Sequence, residues 1–496
     1  MLKLREVTTG SGKTAIQVYY LYNRKRIIVK HLGSASTSQE LDSLKLKAVQ
    51  FIEDFSNQAS LFPSSNSGAY SYLEHYECVG FYYRFYYSLI QELLHQIGIT
   101  ANISQLFKDL VTIRILEPAS KLRSIELLET YFGIKHRRQN YYKEAPKWPS
   151  LKNKVIETVN DFAKREYAFD YSLLFYDVTT LYFETFEDDA LRKTGFSKDS
   201  KSQQPQILVG LMVTREGFPI AFDIFPGNTF EGHTILPIVK GFIAKNNVQS
   251  ITVVADAAMI SSDNIKELKS QGIHYIVGAR LGNLSQVVFD ELDAKIRRED
   301  GKIIRLDTDK GHLICSFSGT RYRKDKYEME KQILKAKTII KSPSKHTKAK
   351  FVKAHNAKLD LNDNLIIKTQ KLLGIKGYYT DLSEQELPAF KVLERYHDLY
   401  KVEQAFRVAK SDLETRPIFH FKDEPIKLHL LICFLALAIS KHIEIKSGMS
   451  IKRFITEAKK VADARMFNNL TQKEVIVKGK LTKTSQDLLI KLKMLH

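Results

Sequence analysis

Leu173–Phe183 reads LLFYDVTTLYF, and Ile251–Asp256 reads ITVVAD. Both are runs of apolar, aromatic and β-branched residues, which predicts buried strands. Each carries one aspartate, Asp177 inside the first run and Asp256 closing the second. An isolated carboxylate beside a core strand costs several kcal/mol unless it is paired or holds a metal. A strand-end aspartate that caps the next turn or helix is the ordinary structural explanation for either one taken singly. Asp223, inside PIAFDIF, shows that a strand aspartate alone decides nothing.

Working outward, the spacing predicts strands over Gln206–Val213 and Pro219–Phe225, with Glu216-Gly217 turning between them. A helix over Thr234–Ala244, the strand Ile251–Ala255, a helix over Ser262–Ser270 and a strand over Tyr275–Ala279 follow. The order βββ-α-β-α-β suits an antiparallel meander extended by parallel β-α-β units. It is compatible with a ribonuclease-H-like fold and with other α/β folds. Beyond residue 281 the alternation stops. A hairpin is expected around Asp309-Lys310-Gly311, between Ile303–Leu306 and Leu313–Ser318. A basic stretch comes next: residues 321–358 hold 13 Lys/Arg against 3 Asp/Glu. A charge run is usually a solvated face. An excess this one-sided, partly within the Pro/Ser/His/Lys stretch 341–346, points toward phosphate contacts, with Lys345, Lys348, Lys350 and Lys353 as candidates.

Past Gly377 a single long helix is expected from about Glu384 to Leu413. At 100° per residue, steps of seven return within about 20° and steps of four within about 40°. Tyr396, Leu399, Glu403, Arg407 and Lys410 are therefore expected on one face. Glu403 with Arg407 is also an ordinary i,i+4 ion pair. Residues 414–496 read as helical and lysine-rich, and Leu428–Ile439 as a buried helix too short to span a membrane, which needs about 20 residues.

Toward the N-terminus, residues 1–31 read as β-hairpins and 37–57 as a helix. Gly12-Lys13-Thr14 imitates the end of a phosphate-binding loop, but Val7 stands where the motif requires glycine and a β-branched, aromatic stretch follows in place of a helix. FPSSNSG (62–68) reads as a linker and the aromatic segment 70–87 as helical core. Helices over Ile103–Ile115 and Lys121–Tyr131, broken at Pro118, could form a helix-turn-helix.

Across its 496 residues the chain has 76 Lys+Arg against 56 Asp+Glu, a net +20. Such an excess favours a polyanionic partner, nucleic acid or an anionic membrane surface. The three cysteines lie far apart, without a CxxC pair, which argues against a disulfide scaffold or a zinc site and fits a reducing cytoplasm. The first residues carry no apolar signal stretch.

Together YDVTTLYFE (176–184), GFSKDSKSQQPQILVGLMV (195–213), GFPIAFDIFPGNTFEG (217–232), VVADAAMIS (253–261) and YHDLYKVEQAFRVAKSDL (396–413) resemble the Asp-Asp-Glu transposases of bacterial insertion sequences, in the subgroup with a β-rich insertion inside a ribonuclease-H-like core. The resemblance implies an α/β fold with an α+β N-terminal region and a helical C-terminal region. It implies Asp177, Asp256 and Glu403 as catalytic acids holding two magnesium ions, with manganese able to substitute. Magnesium prefers oxygen ligands, which suits a carboxylate set. The subgroup's helix motif is Tyr, two residues, Arg, three residues, Glu, six residues, Lys. Tyr396, Glu403 and Lys410 match it, Leu399 departs from it, and Arg407 could supply the missing phosphate grip. Tyr396, Arg407 and Lys410 thus join the four lysines as candidate DNA contacts.

The implied activity is cleavage at the terminal inverted repeats of an element and joining of the freed ends to target DNA. It would be carried out by two protein copies, in the bacterial cytoplasm at the nucleoid and without a membrane. The expected layout is a hairpin-helix region over 1–60, a mostly helical candidate end-reading region over 70–165, the first part of the core over 170–280, the insertion over 281–375, the last part of the core over 376–440, and a basic helical region over 441–496. A nuclease that cuts without joining, and a catalytically silent DNA-binding relative, are the alternatives.

Overall fold

The computed structural model describes residues 2–22, 24–56, 76–196, 203–246, 248–259, 261–341, 349–355, 358–469 and 472–494. The expected linker at 62–68 and Lys345 and Lys348 lie outside them. The chain divides into two compact units, one of residues 1–85 with 460–482, the other of 86–459 with 483–496.

In the smaller unit Lys3–Thr8, Thr14–Tyr22 and Lys25–Ala35 form an antiparallel meander. Ser38–Ser56 is helical. Ile16, Val18 and Ala48 form the core between sheet and helix. Gly12, at φ +74°, makes the turn, and Thr14 opens a strand, so no phosphate-binding helix follows Gly12-Lys13-Thr14. A second sheet pairs Tyr76–Tyr82 with Asp463–Asn468, and that strand with Lys473–Val477. Two expectations fail here. The 70–87 segment is not a helix throughout, since Tyr76–Tyr82 is a strand, and the C-terminal region is not all helical. Tyr76–Tyr82 and Asp463–Asn468 pair across nearly 400 residues of chain, which overrides local preference, while Lys473–Val477 adds as a local hairpin.

The larger unit is built on one eight-stranded sheet. Its strands are β1 (Leu173–Tyr182), β2 (Gln206–Val213), β3 (Pro219–Pro226), β4 (Ile251–Ala255), β5 (Ile273–Gly278), β6 (Ile303–Thr308), β7 (Gly311–Phe317) and β8 (Ile375–Thr380). Their order across the sheet is β6-β7-β8-β5-β4-β1-β2-β3. β1 to β3 are an antiparallel meander, and β4 and β5 add parallel to β1. Helices Ile235–Asn246 and Ser262–Ser270 make the β3–β4 and β4–β5 crossovers that parallel strands require. β2 is buried along its whole length, as a central strand covered on both faces should be. The hairpin expected around residues 309–311 is β6 and β7, and it continues the same sheet through β8. Residues 319–373 add helices Gly319–Lys341 and Asp363–Lys371 with a small core of Met329, Ala336, Phe351 and Leu373.

One further helix, Asp423–Ser447, runs through the middle of this unit with nearly every residue buried. It is long and apolar enough to cross a membrane, but 89% of its most apolar window is covered by the rest of the protein. Burying a Leu or Ile side chain contributes roughly 1.5–3 kcal/mol, so this helix is a main source of the unit's stability. Gln105–Leu116 packs beside it and is also buried over most of its length. The second helix of the expected pair, Lys121–Phe132, begins at the Ser120 cap, ends at Gly133 and keeps one face exposed.

Candidate active site

Asp177 and Asp256 are set side by side by strand register. In the parallel pair β1/β4, Tyr176 stands opposite Ala255, and each aspartate is the next residue along its strand. Side chains alternate along a strand, so Asp177 points to the same face as Thr179 and Leu181. Leu211, opposite Asp177 on β2, shares that face. Asp177 is half-buried and its Oδ1 accepts the Val178 N–H at 2.8 Å. Asp256 is exposed, and its Oδ1 accepts the Ala257 N–H at 2.6 Å.

Asp223 is different. It faces Gly210 across the β2/β3 pair, and its Oδ1 takes the Lys152 ammonium at 2.8 Å. That ion pair gives Asp223 a structural explanation.

The long helix expected over 384–413 is broken. Ala389–His397 and Tyr400–Arg407 are separate helices, and a π-helical turn follows at Val408–Asp412. The break at Asp398-Leu399 coincides with a tether: Arg215, in the β2–β3 turn, pairs with Asp398 at 3.1 Å and Glu394 at 2.8 Å. Leu399 is buried while Glu403 and Arg407 are exposed, so the five expected residues do not share one face. The arginine position of the motif is filled here by a core residue. Among the described residues neither Glu403 nor Arg407 takes part in an ion pair, so the i,i+4 bridge between them does not form. The wider π turn shifts Lys410 from the position an α-helix would give it. Half-buried Lys410 lines a narrow gap with Phe406, Thr179, Leu181 and Leu211, over the sheet face that carries Asp177.

Tyr396 joins the carboxylates. Its hydroxyl lies 3.5 Å from Asp256 Oδ1, at the long limit of a hydrogen bond. Burial, and then the negative charges of Asp256 and Glu403, hold its phenol well above the usual range. Tyr396 therefore senses two carboxylates from different elements. All three acids offer oxygen donors only, the set a magnesium ion prefers. Among the described residues, however, no three His, Cys, Asp or Glu side chains are gathered closely enough to hold an ion as they stand. Their oxygen donors suit such an ion by chemistry, and strand register sets the two aspartates side by side.

Residues 168–439, more than half of the chain and the whole span from Asp177 to Glu403, match the family described as the transposase DDE domain. The chain belongs to the DDE transposases. No curated protein matches it. Among solved structures, the piggyBac transposase synaptic complex with hairpin DNA, determined by cryo-electron microscopy, is similar at 11% identity. The similarity covers 76% of this chain and 78% of that one, at a TM-score of 0.38. That overlap is too loose to transfer residues or contacts.

In this DDE transposase a cleft of about 510 Å³ opens beside Asp256. Ala257, Gly278 and Tyr396 form its end nearest the acids, and Arg321, Lys350, Lys368 and Lys376 lie along it. Lys350 is one of the four lysines singled out from sequence, and Lys353 is exposed on the short strand Val352–His355. Sequence reasoning missed Gly278 and Tyr378, which flank Tyr396. The available signal was a glycine closing the apolar strand HYIVG, a position where another group approaches the backbone closely.

Proposed function

We propose that this DDE transposase cuts DNA at the ends of a bacterial insertion sequence and joins those ends to target DNA, using Asp177, Asp256 and Glu403 on a ribonuclease-H-like core of β1 to β5. The observation that carries this reading is the register of β1 and β4, which sets two strand aspartates next to each other under the helix that bears Glu403. The β3-β2-β1-β4-β5 order, with an antiparallel meander and parallel additions, supports the ribonuclease-H-like assignment.

DDE transposases work with divalent metal ions, and here Asp177, Asp256 and Glu403 would hold magnesium, or manganese in its place. Two such ions, when bound, activate the attacking oxygen and stabilise the leaving one. The chain's own residues do the rest. Asp177 and Asp256 supply fixed anionic oxygens from a rigid sheet, which keeps reorganisation small. Glu403 completes the set from the helix that follows the Arg215–Asp398 ion pair. Tyr396 holds one oxygen of Asp256. Arg407 and Lys410 orient the DNA phosphate, and Lys345, Lys348, Lys350 and Lys353 hold the flanking backbone by charge. Residues 281–375 act as an insertion that extends the core sheet. The region 70–165 reads the terminal inverted repeats, and two copies act on two ends. With +20 net charge the chain suits a nucleoid location in a bacterial cytoplasm.

Incubation with DNA carrying the element's own ends and magnesium, read on a denaturing gel, tests the proposal. Cleavage at the element boundary and a joined product are expected. Cleavage without joining would leave a nuclease. Binding with neither product would leave a DNA-binding relative without chemistry.

A further inference from the structure

We propose that Gly278 and Tyr378 form a slot that positions Tyr396 on Asp256, fixing which oxygen of that carboxylate is offered to the reaction. The inference rests on the reading of Asp256 as a catalytic acid. Gly278 closes β5 and stands directly opposite Tyr378 on β8. Tyr396 lies over this pair, its ring 4.4 Å from that of Tyr378. A Cβ at 278 would come within 2.6 Å of the Tyr396 hydroxyl and 3.2 Å of the Ala257 side chain. The first distance is shorter than real carbon contacts allow, so any residue larger than glycine displaces the phenol. The Tyr378 ring, tilted 48° to that of Tyr396, packs against it and limits its sideways movement.

The consequence falls on Asp256. The Tyr396 hydroxyl and the Ala257 N–H both address its Oδ1, at 3.5 Å and 2.6 Å. Among the described residues no hydrogen bond reaches Oδ2. The two donors thus fix the carboxylate's rotation and leave Oδ2 as its open oxygen. Gly278 and Tyr378 touch neither DNA nor metal in this scheme. They act through Tyr396 and are positioning residues.

A double-mutant cycle between Gly278→Ala and Tyr396→Phe tests the slot in the full-length protein, since removing the hydroxyl removes the atom with which the new Cβ collides. Two quantities are read: Tm without added metal, and the single-turnover rate of cleavage of element-end DNA with magnesium. Gly278→Ala alone is expected to lower the rate about tenfold or more and Tm by several degrees. In the Tyr396→Phe background the same alanine should change the rate by no more than about twofold and Tm by about one degree. Additive losses in both backgrounds would overturn the slot, because the glycine would then matter for reasons unrelated to the hydroxyl. If Gly278→Ala does not fold, recovery of a cooperative melt in the double variant supports the slot, and an unfolded double variant overturns it. A wild-type protein that cleaves nothing while the Tm cycle stays non-additive would retain the slot and remove the catalytic reading of Asp256.

Discussion

Asp177 and Asp256 each follow a paired rung of two parallel strands, Tyr176 opposite Ala255, so the backbone ladder itself sets their separation. Glu403 sits on a short helix bounded by the break at Asp398-Leu399 and by a π turn. The two aspartates thus sit on one sheet, and Glu403 on a short helix outside it.

That difference predicts how the protein meets its metal. Magnesium or calcium should raise Tm, because an ion that binds only the folded state stabilises it by mass action. Asp256→Asn should remove most of the rise. Calcium should support DNA binding without cleavage, because its looser coordination misplaces the reacting oxygens. Melting curves with and without each ion measure the first effect, and a gel reads the second. An equal metal-induced rise in wild type and Asp256→Asn would place the ion elsewhere.

Arg407→Ala should lower the cleavage rate by about a hundredfold, the loss typical of one phosphate-orienting group. DNA affinity should change much less. Arg407 is exposed and free of ion pairs among the described residues, so its removal should leave Tm nearly unchanged. Arg395→Ala should cost less in rate, because that side chain is partly buried near Arg215, which together with burial holds its pKa down. A fall in Tm with unchanged cleavage would make Arg407 a packing residue.

Neutralising Lys345, Lys348, Lys350 and Lys353 together should weaken binding to duplex DNA and flatten its salt dependence. Each lost phosphate contact lowers the slope of log K against log salt by about 0.9. Binding measured at several salt concentrations gives the slope. An unchanged slope would return this run to a solvated surface.

Stability should fall as the solution is acidified from pH 7 to pH 5. Burial holds His442 down to about 4 and His420 to about 3, with the Lys121 and Arg114 charges adding to the shift at His420. His429, buried beside Lys121, is also held well below its ordinary value. Unfolded histidine binds a proton near pH 6.5. Below that pH the unfolded chain takes up protons that the folded chain refuses, so the stability present above pH 6.5 is lost progressively toward pH 4 to 3. His442 Nδ1 shares a hydrogen bond with the Tyr167 hydroxyl at 2.8 Å. His442→Gln should therefore flatten the decline in Tm between pH 7 and 5. A flat wild-type curve over that range would contradict the assignment.

Much of the central sheet was legible from sequence because its strands are short apolar runs separated by turn residues, as in β1, β2 and β4. The pair of aspartates was legible for the same reason: each breaks an apolar run. What sequence hid depended on partners distant along the chain. Tyr76–Tyr82 looked helical because its partner, Asp463–Asn468, is nearly 400 residues away. The helix around Glu403 looked continuous because periodicity carries no sign of Arg215 pulling on Asp398. Leu399 fits the helical repeat yet is turned into the core by that break. Gly278 looked like a strand end, and the Tyr396 hydroxyl above it, with Ala257 beside it, shows why a side chain is crowded there.

Single-turnover cleavage of element-end DNA by Asp177→Asn, Asp256→Asn and Glu403→Gln, measured beside DNA affinity in the same preparations, tests the three-acid site most directly. Each substitution removes one anionic oxygen ligand and nearly preserves volume. Cleavage should vanish in all three while affinity for the ends stays close to wild type. A rate within about tenfold of wild type, roughly 1.4 kcal/mol of barrier, in any one of them would contradict the account by removing that residue from the catalytic set.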